Sequence, residues 1–237
     1  MRLWCCLFFL FSFLTKAQEI EEIRFEGLIK TKKDFLLSQL KSKVGQTFTQ
    51  ENWEEDFVRI QQLNLFFTLD TLKTEEEKQV TLHFIVEEPF YLYPILSIGG
   101  LKDVLKINAG FNEINFRGRA QSLGIEYQYY DRHSITAFYS ALRTKSKWGM
   151  AASLGKKSTV EPLYANDRVS AFNFDVYALQ LTGLRWLKRN LSLSLTLGGF
   201  REEYIQRDSV DLGLENSQYS FAKGQAKVEL EYKDLAY

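Results

Sequence analysis

"LSLSLTLGGF", residues 191–200, puts Leu191, Leu193, Leu195 and Leu197 on one side of an extended chain and Ser192, Ser194 and Thr196 on the other. A strict two-residue period with an apolar and a small polar row is the mark of a β-strand between two different solvents. "QSLGIEYQYY", residues 121–130, repeats it with Leu123, Ile125, Tyr127 and Tyr129 against Ser122, Gly124, Glu126 and Gln128. Seven such segments are expected from Tyr91 onward: 104–112, 120–130, 133–143, 147–156, 174–187, 191–205 and 220–234. Most run to about ten residues or more, the length of a membrane barrel strand, whereas soluble sandwich strands are nearer five or six. Tyr129, Tyr130, Trp148, Tyr177, Trp186, Tyr204 and Tyr232 lie mostly toward segment ends, where an interfacial girdle would put them. "DR" and "TKSK" read as tight turns, and residues 157–173 and 206–219 as long polar loops.

Ahead of this region, residues 18–90 read as a small soluble domain of order β-α-α-β-β. "EIEEIRFEGL" is a short strand ending at Gly27. Thr31 is placed to cap a helix carrying Phe35, Leu36 and Leu40 and stopping at Gly45, and Thr49 to cap a second with Trp53, Phe57 and Ile60 on one face. "LFFTLDTL" and "QVTLHFIVEEP" supply two further strands around the charged turn "KTEEEK". A domain of this size is only marginally stable alone.

Residues 1–17, "MRLWCCLFFLFSFLTKA", carry Arg2, an apolar run from Leu3 to Leu14 and small residues before Gln18, the pattern of a secretory signal peptide. Both cysteines, Cys5 and Cys6, fall inside it, so the exported chain would have no disulfide, Cys-ligated metal or thiol nucleophile. No later apolar run approaches the roughly 20 residues of a membrane-spanning helix, so any spanning must be done by strands.

The formal net charge is zero, which indicates no nucleic-acid partner. Residues 18–90 hold nine basic and fifteen acidic residues, and residues 91–237 nineteen and fifteen. His83 and His133 are too far apart in the chain to suggest a metal site, and Glu87 and Glu88 point to opposite faces of a strand. With no nucleophile elbow and no phosphate-binding glycine loop, no enzyme, catalytic residue or cofactor is expected.

"IRFEGLIKTKKDFL", "VGQTFTQENWEED" and "VTLHFIVEEP" together resemble a POTRA domain, and "INAGFNEINFRGRAQSLGIEY" resembles the first barrel hairpin of the BamA/TamA family of outer-membrane assembly proteins. That family's hairpin turn is matched by Asn115, Phe116 and Gly118, with Ala120 where a second glycine is usual. The resemblance implies an α+β domain (β-α-α-β-β) in the periplasm, followed by an antiparallel transmembrane β-barrel in the bacterial outer membrane. It implies a factor that inserts or translocates proteins, with unfolded outer-membrane or surface proteins as clients, outer-membrane lipid around it and periplasmic accessory proteins as partners. A client strand would pair with the edge formed by Leu65, Phe66, Phe67, Thr68 and Leu69. It would also meet a barrel seam formed by Lys106, Ile107, Asn108, Ala109, Gly110, Phe111 and Asn112. The family's Arg-Gly-aromatic loop is absent, and seven strands cannot close a barrel of even strand number. The chain is therefore expected to be the N-terminal part of a longer protein of about sixteen strands. The competing expectation is a passive porin or surface-binding barrel with a periplasmic tether.

Overall fold

Glu19–Glu26 forms β1, Lys33–Gln39 α1, Gln50–Gln61 α2, Thr68–Glu76 β2 and Gln79–Glu87 β3, in the order that the alternation and helical spacing imply. The computed structural model describes residues 18–76, 79–101, 104–188, 190–210, 212–213 and 217–232. Residues 1–17, expected to be a signal peptide, and residues 233–237 lie outside these. Strand β3 is central, parallel to β1 and antiparallel to β2, so both β1 and β2 are edges of the three-stranded sheet. Val80, Leu82, Phe84 and Val86 of β3 alternate into the core beside Ile20 and Ile23, with Phe35, Leu36, Trp53 and Ile60 from the helices. Thr49 caps α2 as expected, its hydroxyl accepting from the Asn52 amide at 3.3 Å.

Three local expectations are corrected. Helix α1 starts from Lys32 without a side-chain cap, because the Thr31 hydroxyl is engaged elsewhere, and it ends at Gln39, well before Gly45. There the Asp56 carboxylate takes the Lys41 and Ser42 amides at 2.6 and 2.9 Å, turning the chain out of the helix. Strand β2 begins at Thr68, not Leu65: Leu65 turns into the core, and Asn64, with φ of 52°, ends the α2 turn before it.

The second sheet is an antiparallel meander of eight strands in sequence order. They are β4 (Leu92–Leu101), β5 (Val104–Phe116), β6 (Gln121–Tyr130), β7 (Arg132–Ala141), β8 (Trp148–Ala165), β9 (Arg168–Lys188), β10 (Leu191–Gln206) and β11 (Gln218–Tyr232). The sheet is unclosed, with β4 at one end and β11 at the other. Strand β4 was not among the expected segments, since Pro94 and Gly99-Gly100 interrupt its alternation; proline is tolerated because this strand is an edge. The segment 157–173, read as a polar loop, is instead the continuation of β8 and β9, closed by Asn166-Asp167. Both take positive φ, 49° and 59°, the requirement of a two-residue hairpin turn with the right twist.

Register turns alternation into rows. Leu179, Leu154, Ala137, Ile125 and Phe111 are successive cross-strand partners from β9 to β5, and most are exposed. On the other face Thr196, Thr182, Ala151, Ser140 and Ser122 form a parallel row of small residues, with a Thr182–Thr196 hydroxyl contact at 2.9 Å. The apolar face is bounded on β8 by Trp148, opposite Arg185, and by Lys156, opposite Tyr177. Eight strand residues rise about 27 Å, or about 20 Å along the normal at a tilt of about 40°, close to the ~25 Å apolar band of outer-membrane barrels.

Candidate functional site

The small domain and the large sheet meet through side chains, with no spacer between them. Tyr91, buried within the small domain's core, directly precedes β4, and its hydroxyl donates to the Leu65 carbonyl at 2.8 Å. The Asn115 amide, 0% exposed, donates to the Thr31 hydroxyl at 2.8 Å, and that hydroxyl lies 3.2 Å from the Tyr91 hydroxyl. The Asn115 side-chain oxygen accepts from the Ala120 amide at 2.9 Å. One buried line of hydrogen bonds therefore runs from the turn of the large sheet to the residue at which the small domain's chain heads toward β2. Burial, with Glu88 adding to it, pushes the Tyr91 hydroxyl's pKa above its ordinary value, so it stays a donor at neutral pH.

Around this line the Glu88 carboxylate accepts the Lys30 and Thr31 amides at 2.8 and 2.9 Å. Lys30 pairs with Glu113 of β5, the Lys32 amide donates to the Gly118 carbonyl at 2.9 Å, and Ile114 donates to the Tyr91 carbonyl at 3.1 Å. A second turn, 142–147 between β7 and β8, touches α1: Lys145 meets Asp34 at 2.6 Å, and Gln39 donates to the Thr144 carbonyl at 3.0 Å. The Lys145 ammonium holds the Asp34 carboxyl below its usual range.

Of the residues expected to act, Asn115 and Phe116 end β5, and Gly118 lies in the turn between β5 and β6. Because β4 precedes β5, this is the second hairpin of the sheet and not the first. Its use is docking: Arg117, Gly118 and Ala120 all take positive φ, which folds the turn against Lys30–Lys32. Lys106, Ile107, Asn108, Ala109, Gly110, Phe111 and Asn112 lie on β5 and are paired on both sides, with β4 and with β6. They form no edge; that place falls to Leu92–Leu101. In the other expected stretch, Leu65 is buried, Phe66 half-buried, and Phe67 78% exposed with its amide donating to the Glu87 carbonyl at 2.8 Å. Only Thr68 and Leu69 belong to edge strand β2. Thr31, Glu88 and Tyr91 carry no sequence signal for the joint, since each residue type there is ordinary.

At the far end of the sheet, the segment after β10 ties the hairpins together. Arg207 pairs with Asp131, Asn166 donates to the Leu212 carbonyl at 2.8 Å, and the Asp208 carboxylate accepts the Ser170 hydroxyl and, at 2.9 Å, the Ala171 amide. These donors, the hydroxyl foremost, hold the Asp208 pKa down to about 2. A carboxylate whose pKa is lowered on folding contributes above its unfolded pKa, and the contribution disappears as pH falls through the folded one. The Ala171 amide, and that of Val210, which donates to the same carboxylate at 3.2 Å, should therefore lose hydrogen-exchange protection between about pH 4 and pH 2. Protection unchanged at pH 2, or lost already above pH 5, would contradict the assignment.

Residues 18–89 match the POTRA family, described as a surface antigen variable number repeat. The small domain is a POTRA domain. Over more than nine-tenths of its length the chain has a fold similar to parts of three larger solved structures. It is similar to BamA from Haemophilus ducreyi lacking POTRA domains 1–3, with a TM-score of 0.58 and 18% identity over 93% of this chain and 45% of that one. It is also similar to CdiB from Acinetobacter baumannii, with a TM-score of 0.53 and 13% identity over 92% and 44% of the two chains. For CdiB from Escherichia coli the TM-score is 0.55, with 12% identity over 93% and 43%. The chain thus spans less than half the length of these solved structures. No curated protein matches it.

Proposed function

We propose that this chain is the POTRA domain and the first part of the barrel of an outer-membrane insertion or translocation factor. Residues 1–17 are its export signal, the POTRA domain stands in the periplasm, and the apolar face of the sheet meets lipid. Unfolded outer-membrane or surface proteins are its clients, and client strands pair with main-chain groups at β2 and at β4. The observation that carries this reading is that two strand edges, one in each sheet, are held at a fixed relation by one buried polar joint. Backbone pairing is indifferent to side-chain identity, so such edges suit clients of varied sequence. No cofactor or energy source enters the scheme.

Photo-crosslinking in the native membrane tests it. A benzoylphenylalanine at Leu72 on β2 or at Ile98 on β4, both exposed, should capture unfolded barrel clients, and one at Gln50 on α2 should not. Equal capture at all three positions, or ion conductance by the reconstituted protein with no effect on client folding, would favour the porin reading instead.

A further inference from the structure

A cleft of about 430 Å³ opens where α1 and α2 of the POTRA domain face the sheet's near rim. Its walls carry Arg59, Arg143, Lys145, Lys147 and Lys188, with Trp186 between them. Only Lys145 has an ion-pair partner among the described residues, Asp34. The Arg143 guanidinium stacks on Trp186, 4.3 Å from the ring centre, and the indole is fixed by its donation to the Leu142 carbonyl at 2.9 Å. Arg59 donates to the Gln39 carbonyl at 3.1 Å, while its buried Nε has no hydrogen-bond partner among the described residues. Glu51, Glu54 and Glu55 line the adjoining groove along α2, which Arg59 and Lys188 also line, so the positive charge set apart from these carboxylates is that of Arg143 and Lys147 on the turn side.

We propose that this cleft binds the phosphate headgroup of an anionic phospholipid from the leaflet facing the POTRA domain. The proposal rests on the membrane reading above. Position selects a lipid over a soluble anion: Leu187, exposed and lining the cleft, follows Gly183 and Arg185 by alternation on the apolar face. Trp148 and Arg185, which close the apolar band, stand next to it. An acyl chain lying on that face brings its phosphate to the cleft. Arginine and lysine clusters at this level are what anionic headgroups recognise, and arginine forks take phosphate oxygens in pairs. Burial and the nearby Arg59 push the Arg143 pKa below its ordinary value, the direction expected where positive groups gather without an anion.

The full chain, reconstituted in nanodiscs of phosphatidylethanolamine and phosphatidylglycerol and released gently for native mass spectrometry, should retain phosphatidylglycerol in preference. Each cation removed should lower retention about fivefold, so Arg143→Gln with Lys188→Gln should lower it about twentyfold, and Lys188→Arg should leave it unchanged. If the first pair fails to fold, Lys147→Gln with Lys188→Gln, both at exposed positions, should still cost at least about tenfold. Equal retention by wild type and variants, or displacement of the lipid by millimolar inorganic phosphate, would overturn the assignment. So would binding of an acidic peptide with no lipid retained. Failure to enter the nanodiscs would instead count against the membrane reading, which separates the two.

Discussion

Phe84→Ala should unfold the POTRA domain while leaving the large sheet assembled. Phe84 is fully buried on the central strand, stacked on Phe25 with ring centres 4.9 Å apart and tilted against Trp53 at the same distance. Truncating a buried phenylalanine costs about 3–5 kcal/mol through lost transfer energy and the cavity left behind. A domain of this length holds only about 3–5 kcal/mol in total. The variant therefore removes the whole margin. Limited proteolysis should cut within residues 18–90 of the variant, with the sheet still migrating as a folded barrel protein on unheated gels. Resistance of that region equal to wild type would contradict the core described above. If β2 captures clients, crosslinking from Leu72 should be lost and that from Ile98 kept.

Gly118→Val should release the POTRA domain from the sheet without unfolding either. At Gly118 φ is 69°, and a Cβ there would lie 2.1 Å from the Lys30 carbonyl oxygen and 3.2 Å from the Lys32 nitrogen. The left-handed conformation alone costs a non-glycine residue about 1–2 kcal/mol, and the overlap is with backbone that no rotamer change can clear. Relief requires parting the turn from Lys30–Lys32, which breaks the Lys32–Gly118, Asn115–Thr31 and Lys30–Glu113 contacts together. At about 1 kcal/mol for each bond, docking loses about 3–5 kcal/mol in all, enough to make the undocked form dominant. Spin labels at Gln50 and Ser153 should then give a broad distance distribution where wild type gives a narrow one. An unchanged narrow distribution would mean that the joint is not held at this turn.

The large sheet was legible wherever one face is apolar and the other small or polar, as at Leu191–Leu197, because burial in two different solvents writes a period of two into the chain. It was illegible where that contrast fails. On β4, Pro94 and two glycines interrupt the pattern, and only an edge strand accepts them; beyond the apolar band, β8 and β9 mix polar residues such as Lys157, Glu161 and Arg168 with Val160, Tyr164 and Phe172, so the alternation fades and the segment resembles a loop. The missing strand shifts the seam by one, so Lys106–Asn112, paired on both sides, stands where an edge was expected. Asn115 and Gly118 stood out as a motif, but their role did not, because it depends on Thr31, eighty-four residues away from Asn115. No spacing rule reaches that far.

The two sheets differ in when they can be completed as the chain is made. In the POTRA domain the strand that enters last, β3, is the one in the middle, so β1 and β2 have no partner for each other until Glu87 has emerged. That domain must close in one step across long loops, which slows it. The meander of β4 to β11 pairs only sequence neighbours and can grow one hairpin at a time, each added strand covering the last free row of amides and carbonyls while presenting its own. At every stage of its growth, the sheet is itself a template for the next strand to arrive.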